Sequence, residues 1–325
     1  MSALPKILRH SSDTEPGITR RVRGRGFSYH APDGTCVNHA PVLERIKALG
    51  LPPAYSDVWI CTDEFGHIQA TGRDDKNRKQ YRYHDDWRSF RDQRKFDRLS
   101  DFARTLPKLR ARVARDLRRD NPDKRFVSAA LVRLIDRGAL RVGNRAYAGD
   151  SFGAATLRTR HIDLSDTALK LDFKAKGGKR VRKRISDTTL ARTLERIGDL
   201  PGRDLFQYRG EDGEVYRLDS SDVNAYIDDG FTAKTFRTWH GTVAAFDAAQ
   251  STESLSIKML CEAAAKRLHN TPAICRKSYI HPAVIALAEA SAEDAQTTLN
   301  NLKSETLRGL RQAERGCLAL LDWNK

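Results

Sequence analysis

The hydrophobic periodicity of this 325-residue chain changes near residue 85, and that switch limits what each part can fold into. Between Arg21 and about His84, apolar and polar residues alternate over short runs, the two-residue period of half-buried strands. Val58–Thr62 and His67–Thr71 are predicted strands around an Asp63-Glu64-Phe65-Gly66 turn, and Gln80–His84 is another. Pro41–Leu49 is predicted as a short helix, stopped by Gly50 and the Pro52-Pro53 pair. From about Asp86 the spacing becomes three and four residues. Leu106–Arg119 and Phe126–Arg137 follow it, parted by the breaker Asn121-Pro122-Asp123.

One β excursion interrupts the helical part. Thr156–Leu164, Leu169–Lys176 and Lys179–Ile185 are expected as three antiparallel strands, with Gly177-Gly178 as a two-residue hairpin turn at positive φ. Helices are expected again over 187–197, 220–228, 232–249, 254–269, 271–279 and 291–320. Asn270-Thr271-Pro272 supplies a capping side chain before a proline at the first helical position. The expected class is α+β. Residues 1–20 form a loose arm, 21–85 a small β-rich N-terminal domain, and 86–325 a larger, mostly helical domain holding a three-stranded antiparallel sheet.

Lysine and arginine number 58 against 42 acids, a formal charge of +16 that suits a polyanionic partner or, more simply, a solvated basic surface. A hydrophobic content of 39% argues against wholesale disorder. Five scattered cysteines fit neither a disulfide framework nor a complete zinc-ligand set, so no metal is expected. No apolar run approaches the ~20 residues that span a bilayer. Residues 1–20 lack the continuous apolar core of a signal peptide. A cytoplasmic, reducing location is therefore expected.

Four separated segments carry residues suited to phosphodiester chemistry. Breaking a phosphodiester without a metal needs fixed cations around the phosphorane oxygens, a nucleophile, and a proton for the departing sugar oxygen. Arg141 lies in Gly138-Ala139-Leu140-Arg141-Val142-Gly143-Asn144, and Arg237 on a predicted helix in Lys234-Thr235-Phe236-Arg237-Thr238-Trp239-His240. Lys176 adjoins the Gly177-Gly178 turn, inside a run of seven basic residues from Lys174 to Arg184. Tyr279 closes Asn270-Thr271-Pro272-Ala273-Ile274-Cys275-Arg276-Lys277-Ser278-Tyr279. Each has a plainer reading. Arg141 could cap a helix end, Arg237 could pair with Asp228 or Asp229, and Tyr279 could be a half-buried aromatic.

In this order the four segments resemble the catalytic domain of type IB DNA topoisomerases, nearest the compact poxvirus-like and bacterial branch. The resemblance spans roughly residues 20 to 285. It implies that Arg141 and Arg237 clamp the scissile phosphate of duplex DNA, that Lys176 protonates the leaving 5′ oxygen, and that Tyr279 forms a 3′-phosphotyrosyl link. Lys179, across the turn, is the rival for the proton donor. Asn270 stands where the family has histidine, nine residues before the tyrosine; it can donate a hydrogen bond but cannot be cationic. The resemblance extends to Gly72-Arg73-Asp74 and Arg78-Lys79-Gln80-Tyr81-Arg82-Tyr83, a DNA-facing loop and strand. It gives Arg73, Arg78, Lys79, Gln80, Tyr81 and Tyr83 as DNA contacts, joined by Lys174 and Lys179 on the hairpin.

The implied protein is a nucleoid-associated monomer that relaxes supercoils, its two domains closing as a clamp around the duplex. It uses no cofactor, metal or nucleotide, and no G-x-x-x-x-G-K-S/T phosphate loop occurs in the chain. Two alternatives remain. Tyrosine recombinases share the active-site pattern, but they place histidine three residues before the second arginine, where this chain has Lys234. A DNA-binding protein that kept the fold without the chemistry is the other.

Overall fold

The computed structural model describes residues 7–145, 151–252, 254–303 and 306–323. The chain divides into two compact units, Met1–Lys95 and Phe96–Lys325. None of the described helices is long and apolar enough to cross a membrane.

The first unit is built on a five-stranded antiparallel sheet of order β2-β1-β3-β4-β5. Its strands are β1 (Ile18–Arg23), β2 (Gly26–His30), β3 (Ser56–Ile60), β4 (Ile68–Arg73) and β5 (Lys79–Tyr83). Helix α1 (Ala40–Ala48) contributes Ile46 to a small core with Ile18, Val58, Ile60 and Ala70. Arg45 on the same helix donates to Gln69 and to the Cys61 carbonyl, so polar groups under the helix are also matched.

The segment expected as a loose arm is tied down from Leu8 onward; its first six residues lie outside the described ones. Arg9 N–H donates to the Phe65 carbonyl at 2.9 Å, and His67 N–H returns to the Arg9 carbonyl at 2.9 Å. The Ser11 hydroxyl donates to the Ile68 carbonyl and accepts from Ile68 N–H, both at 3.0 Å. Ile18 then enters β1 opposite Ile60. The arm reading failed because these anchors are backbone groups and a serine, which polarity along a sequence does not reveal.

Helix α2 (Asp85–Asp97) leads into the second unit, whose core is helical. Helices α3 (Leu99–Asp116) and α4 (Lys124–Gly138) pack together, and the Asp123 carboxylate caps α4 by accepting from Phe126 N–H at 2.8 Å. Next comes the three-stranded antiparallel sheet of β6 (Ile162–Ser165), β7 (Ala168–Lys174) and β8 (Arg180–Ser186), in that order. The first of these strands is shorter than expected. Residues 154–156 and 159–161 form single 3₁₀ turns, because the Thr156 hydroxyl accepts from Gly153 N–H and His161 Nδ1 accepts from Arg158 N–H.

Helix α5 (Thr188–Gly198), the short hairpin β9 (Gln207–Arg209) and β10 (Val215–Arg217), and α6 (Ser220–Ile227) precede the central α7 (Ala233–Gln250). Trp239 on α7 is fully buried. Helices α8 (Ile257–Leu268), α9 (Pro272–Ser278), α10 (Pro282–Leu287), α11 (Ala292–Asn301) and α12 (Gln312–Trp323) follow. The single helix expected over 291–320 is two; Ser304 and Glu305 between them lie outside the described residues. Gly309, at φ +97°, turns the chain against Pro107, and α12 starts afresh at Gln312.

A buried polar cluster ties α12 to the rest. The Arg110 guanidinium on α3 donates to both oxygens of Asp136 (2.8 and 3.0 Å) and of Glu314 (2.8 and 2.7 Å). His240 Nε2 lies 3.0 Å from Asp136, and Trp239 Nε1 donates to Glu314 at 3.4 Å. Burial opposes ionisation of Asp136, but contacts with His240 and Arg110 hold its carboxyl well below the usual range.

Candidate active site

Four of the five residues expected to act on a phosphate meet at one place, each delivered by a different device. Helix α4 ends with Ala139 in the left-handed region (φ 51°), which turns the chain toward Arg141. The Arg141 loop is pinned by Ala154 N–H on the Arg141 carbonyl (2.8 Å) and Ala155 N–H on the Val142 carbonyl (2.7 Å). Two glycines permit this approach. A Cβ on Gly143 or on Gly153 would fall within 3 Å of the other's backbone.

Arg237 projects from α7 and is 4% exposed. Its Nη1 donates to the Ala139 carbonyl at 2.6 Å and its Nη2 to the Leu268 carbonyl at 3.1 Å. It does not pair with Asp228 or Asp229; its hydrogen-bond acceptors are neutral carbonyls. Its Nε is buried without a hydrogen-bond partner.

Asn270 follows His269, which closes α8 in the left-handed region at φ 50°. The Asn270 Oδ1 accepts from Arg141 Nη2 at 2.8 Å. That bond fixes which end of the amide is which, and the buried Nδ2 is left with no partner. An unsatisfied buried donor is costly unless a ligand completes it.

Tyr279 stands at the end of α9 and is 9% exposed. The Thr271 side chain caps the start of this helix and Pro272 takes its first position, as the sequence suggested. The Tyr279 carbonyl accepts from the Thr242 hydroxyl on α7 at 3.2 Å. Gly241 makes that approach possible, since a Cβ there would lie 2.7 Å from the same carbonyl. The Arg237 guanidinium carbon is 5.1 Å from the Tyr279 ring centre. Burial alone would raise the phenol's pKa. The charge and polar contact of Arg237, with Arg141 and Lys234 beyond it, outweigh burial and hold it below the ordinary value.

Lys176 stands apart from this cluster. It sits with Gly177 (φ 77°) and Gly178 (φ 75°) at the exposed tip joining β7 to β8. The strands stop at Lys174 and Arg180, so the connection is longer than a two-residue turn; Ala175 N–H donates to the Lys179 carbonyl at 2.7 Å. Lys176 makes no hydrogen bond or ion pair among the described residues. Lys179 acts electrostatically on the Cys275 thiol, one turn before Tyr279. Lys174 is exposed on the same hairpin.

In the first unit, four of the six expected DNA contacts are already engaged with acids. Arg73 pairs with Asp57, Lys79 with Asp13, and Asp74 accepts from both Arg78 (2.8 Å) and Gln80 (3.0 Å). The Arg78 hydrogen bond comes first in bringing the Asp74 carboxyl down to about 2. Tyr81 is exposed and stacks on Tyr83, ring centres 5.9 Å apart and planes 12° from parallel.

The residues matched by family models agree with this layout. Residues 84–309 match the catalytic core of eukaryotic DNA topoisomerase I, and 26–74 match the N-terminal domain of bacterial DNA topoisomerase IB. A relative from Acanthamoeba polyphaga mimivirus, DNA topoisomerase 1B, is 31% identical over 298 residues, covering 85% of this chain and 89% of the relative. The chain belongs to the type IB DNA topoisomerases. It is an isomerase and a DNA-binding protein.

Reading this topoisomerase from sequence missed one residue beneath the cluster. Lys183 Nζ donates to the Gly138 carbonyl at 2.8 Å and to the Arg267 carbonyl at 2.9 Å. Burial, then repulsion from Arg267 and Arg237, lowers its pKa to about 7. The signal was present in strand alternation. Lys183 shares a strand face with Val181 and Ile185, both buried. As for a metal, Asp136, His240 and Glu314 bring ligand atoms within 4.8 Å of one another, but Arg110 already spans both carboxylates of that group in the topoisomerase core.

Proposed function

We propose that this topoisomerase relaxes supercoiled DNA by breaking one strand through a covalent bond to Tyr279, allowing rotation, and resealing it. The observation that carries the reading is the convergence of Arg141, Asn270, Arg237 and Tyr279, with two buried donors left open. Tyr279 Oη loses its proton to solvent water and attacks the phosphorus, and the bond from phosphorus to the 5′ oxygen breaks. Arg237 and Arg141 meet the developing charge on the phosphorane, and Asn270 Nδ2 donates to a non-bridging oxygen. Lys176 gives its proton to the leaving 5′ oxygen. The 5′ hydroxyl later attacks the phosphotyrosine in reverse. The bond energy is conserved in the link, so the cycle needs no ATP, and Arg141, Arg237 and Asn270 take the charge-stabilising part that a metal would otherwise play.

In this proposal Arg73, Arg78, Lys79, Gln80, Tyr81 and Tyr83 contact the duplex from the first unit, with Lys174 and Lys179 tracking it from the hairpin. Acid partners hold the first four of these in place before DNA arrives. The protein acts as a monomer on chromosomal DNA.

The test is relaxation of supercoiled plasmid with EDTA and without ATP, comparing wild type with Tyr279→Phe. Relaxation by wild type alone, with protein linked to the 3′ side of the nick, is the expected result. Tight duplex binding with no relaxation by either protein would overturn the proposal.

A further inference from the structure

We propose that a cleft of about 430 Å³ between the end of α4, β8, α7, the end of α8 and the start of α12 binds an oxyanion of the phosphate class. It is lined by Arg137, Lys183, Arg184, Arg267 and Arg311. The acids in its wall are Asp247 and Glu314, and Glu314 is committed to Arg110.

The charge balance inside the cleft calls for an anion. Arg137 shares Asp187 with Arg133. Lys183 and Arg267 have only neutral acceptors: Lys183 binds two carbonyls, and Arg267 Nη2 donates to the Arg137 carbonyl at 3.0 Å. Among the described residues neither forms a salt bridge, although both are largely withdrawn from solvent. Burying cations without a counter-charge is unfavourable. Burial first, and cationic neighbours second, lower the pKa of both side chains, with Asp136 and Glu314 offsetting only part of this at Arg267. An oxyanion in the cleft relieves that repulsion. Arg184 and Arg311, exposed at the rim, would close on it with fork-shaped donors.

The cleft's walls include none of Arg141, Arg237, Asn270 or Tyr279, so the site is separate from the phosphodiester site. Its occupant would still bear on that site, because Lys183 holds the chain segments next to Arg141 and Asn270. The phosphate could belong to a free polyphosphate or to a DNA backbone beyond the scissile position. The chemistry recognised is the same.

The experiment uses the full-length Tyr279→Phe protein and sodium pyrophosphate, titrated calorimetrically at low salt with and without saturating short duplex. Arg184→Gln/Arg311→Gln is compared with a charge-matched control, Arg118→Gln/Arg192→Gln, with folding checked by circular dichroism. The expected result is a Kd for pyrophosphate raised at least ~10-fold in the cleft variant and not in the control. Binding that persists beside the duplex marks a free-anion site. If the duplex displaces pyrophosphate, and the cleft variant alone binds duplex more weakly with a shallower salt dependence, the occupant is a backbone phosphate. If both variants lose affinity equally, or pyrophosphate does not bind and duplex affinity is unchanged, the proposal is wrong.

Discussion

Arg237 and Lys183 grip consecutive carbonyls on the same two stretches of chain: Arg237 holds those of Ala139 and Leu268, Lys183 those of Gly138 and Arg267. Two cations on different elements thus staple the loop that carries Arg141 to the helix end that presents Asn270. Replacing Lys183 by methionine keeps much of the bulk and removes both bonds. Unfolding free energy should fall by about 1–3 kcal/mol. Single-turnover cleavage should fall while duplex affinity holds, and an unchanged cleavage rate would deny Lys183 any part in positioning.

Asn270 offers a cleaner test of transition-state stabilisation. Asn270→Ala deletes the open Nδ2 donor and should slow cleavage by about 10²-fold with little change in binding. Asn270→His restores a donor that can also be charged, and should recover most of that loss. Equal rates for wild type and the alanine variant would show that the amide does not touch the reacting phosphate.

Gly241 is where backbone space decides the position of Tyr279, the proposed nucleophile. A methyl group there would meet the Tyr279 carbonyl at 2.7 Å, so Gly241→Ala must push α9 away from α7. A stability loss of about 1–3 kcal/mol is expected. Cleavage should drop further than the melting temperature alone explains. A variant with wild-type activity would mean that Tyr279 tolerates displacement.

The acidity of Tyr279 predicts a pH profile. Deprotonation rises with pH, and cations hold the folded phenol below the usual ~10. The rising limb of single-turnover cleavage should therefore level off before that value. Lys234→Gln, which removes one contributing charge, should move the limb to higher pH. A limb that stays in place would leave no role for Lys234 in tuning the phenol.

His281 sets a stability limit in acid. Burial lowers its pKa to about 4, and its Nδ1 accepts from Ala283 N–H, which requires that nitrogen to be unprotonated. Between that value and the unfolded ~6.5, the unfolded chain binds the extra proton, so stability falls as pH drops through this window. With allowance for partial exposure the loss is about 2 kcal/mol. His281→Asn keeps a capping acceptor and should flatten the decline in denaturation midpoints between pH 7 and 4.5.

The elements proposed to carry the chemistry were legible because their signals are local. The Thr271 cap and Pro272 mark the helix that ends at Tyr279, and the glycines after Lys176 mark a hairpin tip. Asn270 was found only through its distance from the tyrosine. Other features depend on distant partners. The anchoring of Arg9 and Ser11 rests on hydrogen bonds with the 65–68 segment. The break between α11 and α12 rests on Gly309 meeting Pro107, two hundred residues away in sequence. Lys183 was hidden among seven cations, where only the strand's alternation separates the one that turns inward.

The contact between Arg110 and Glu314 also bears on when this protein can assemble its proposed site. Glu314 lies on α12, the last of the described helices, yet it holds Arg110 from α3 and the indole of Trp239 on α7. During synthesis, a chain that has not yet released residue 314 from the ribosome leaves Arg110 half matched and Trp239 without its acceptor. The helix bearing Arg237 then lacks its final support. Assembly of the proposed nucleophile and its clamp therefore waits until residue 314 has been made and has folded back onto Arg110 and Trp239.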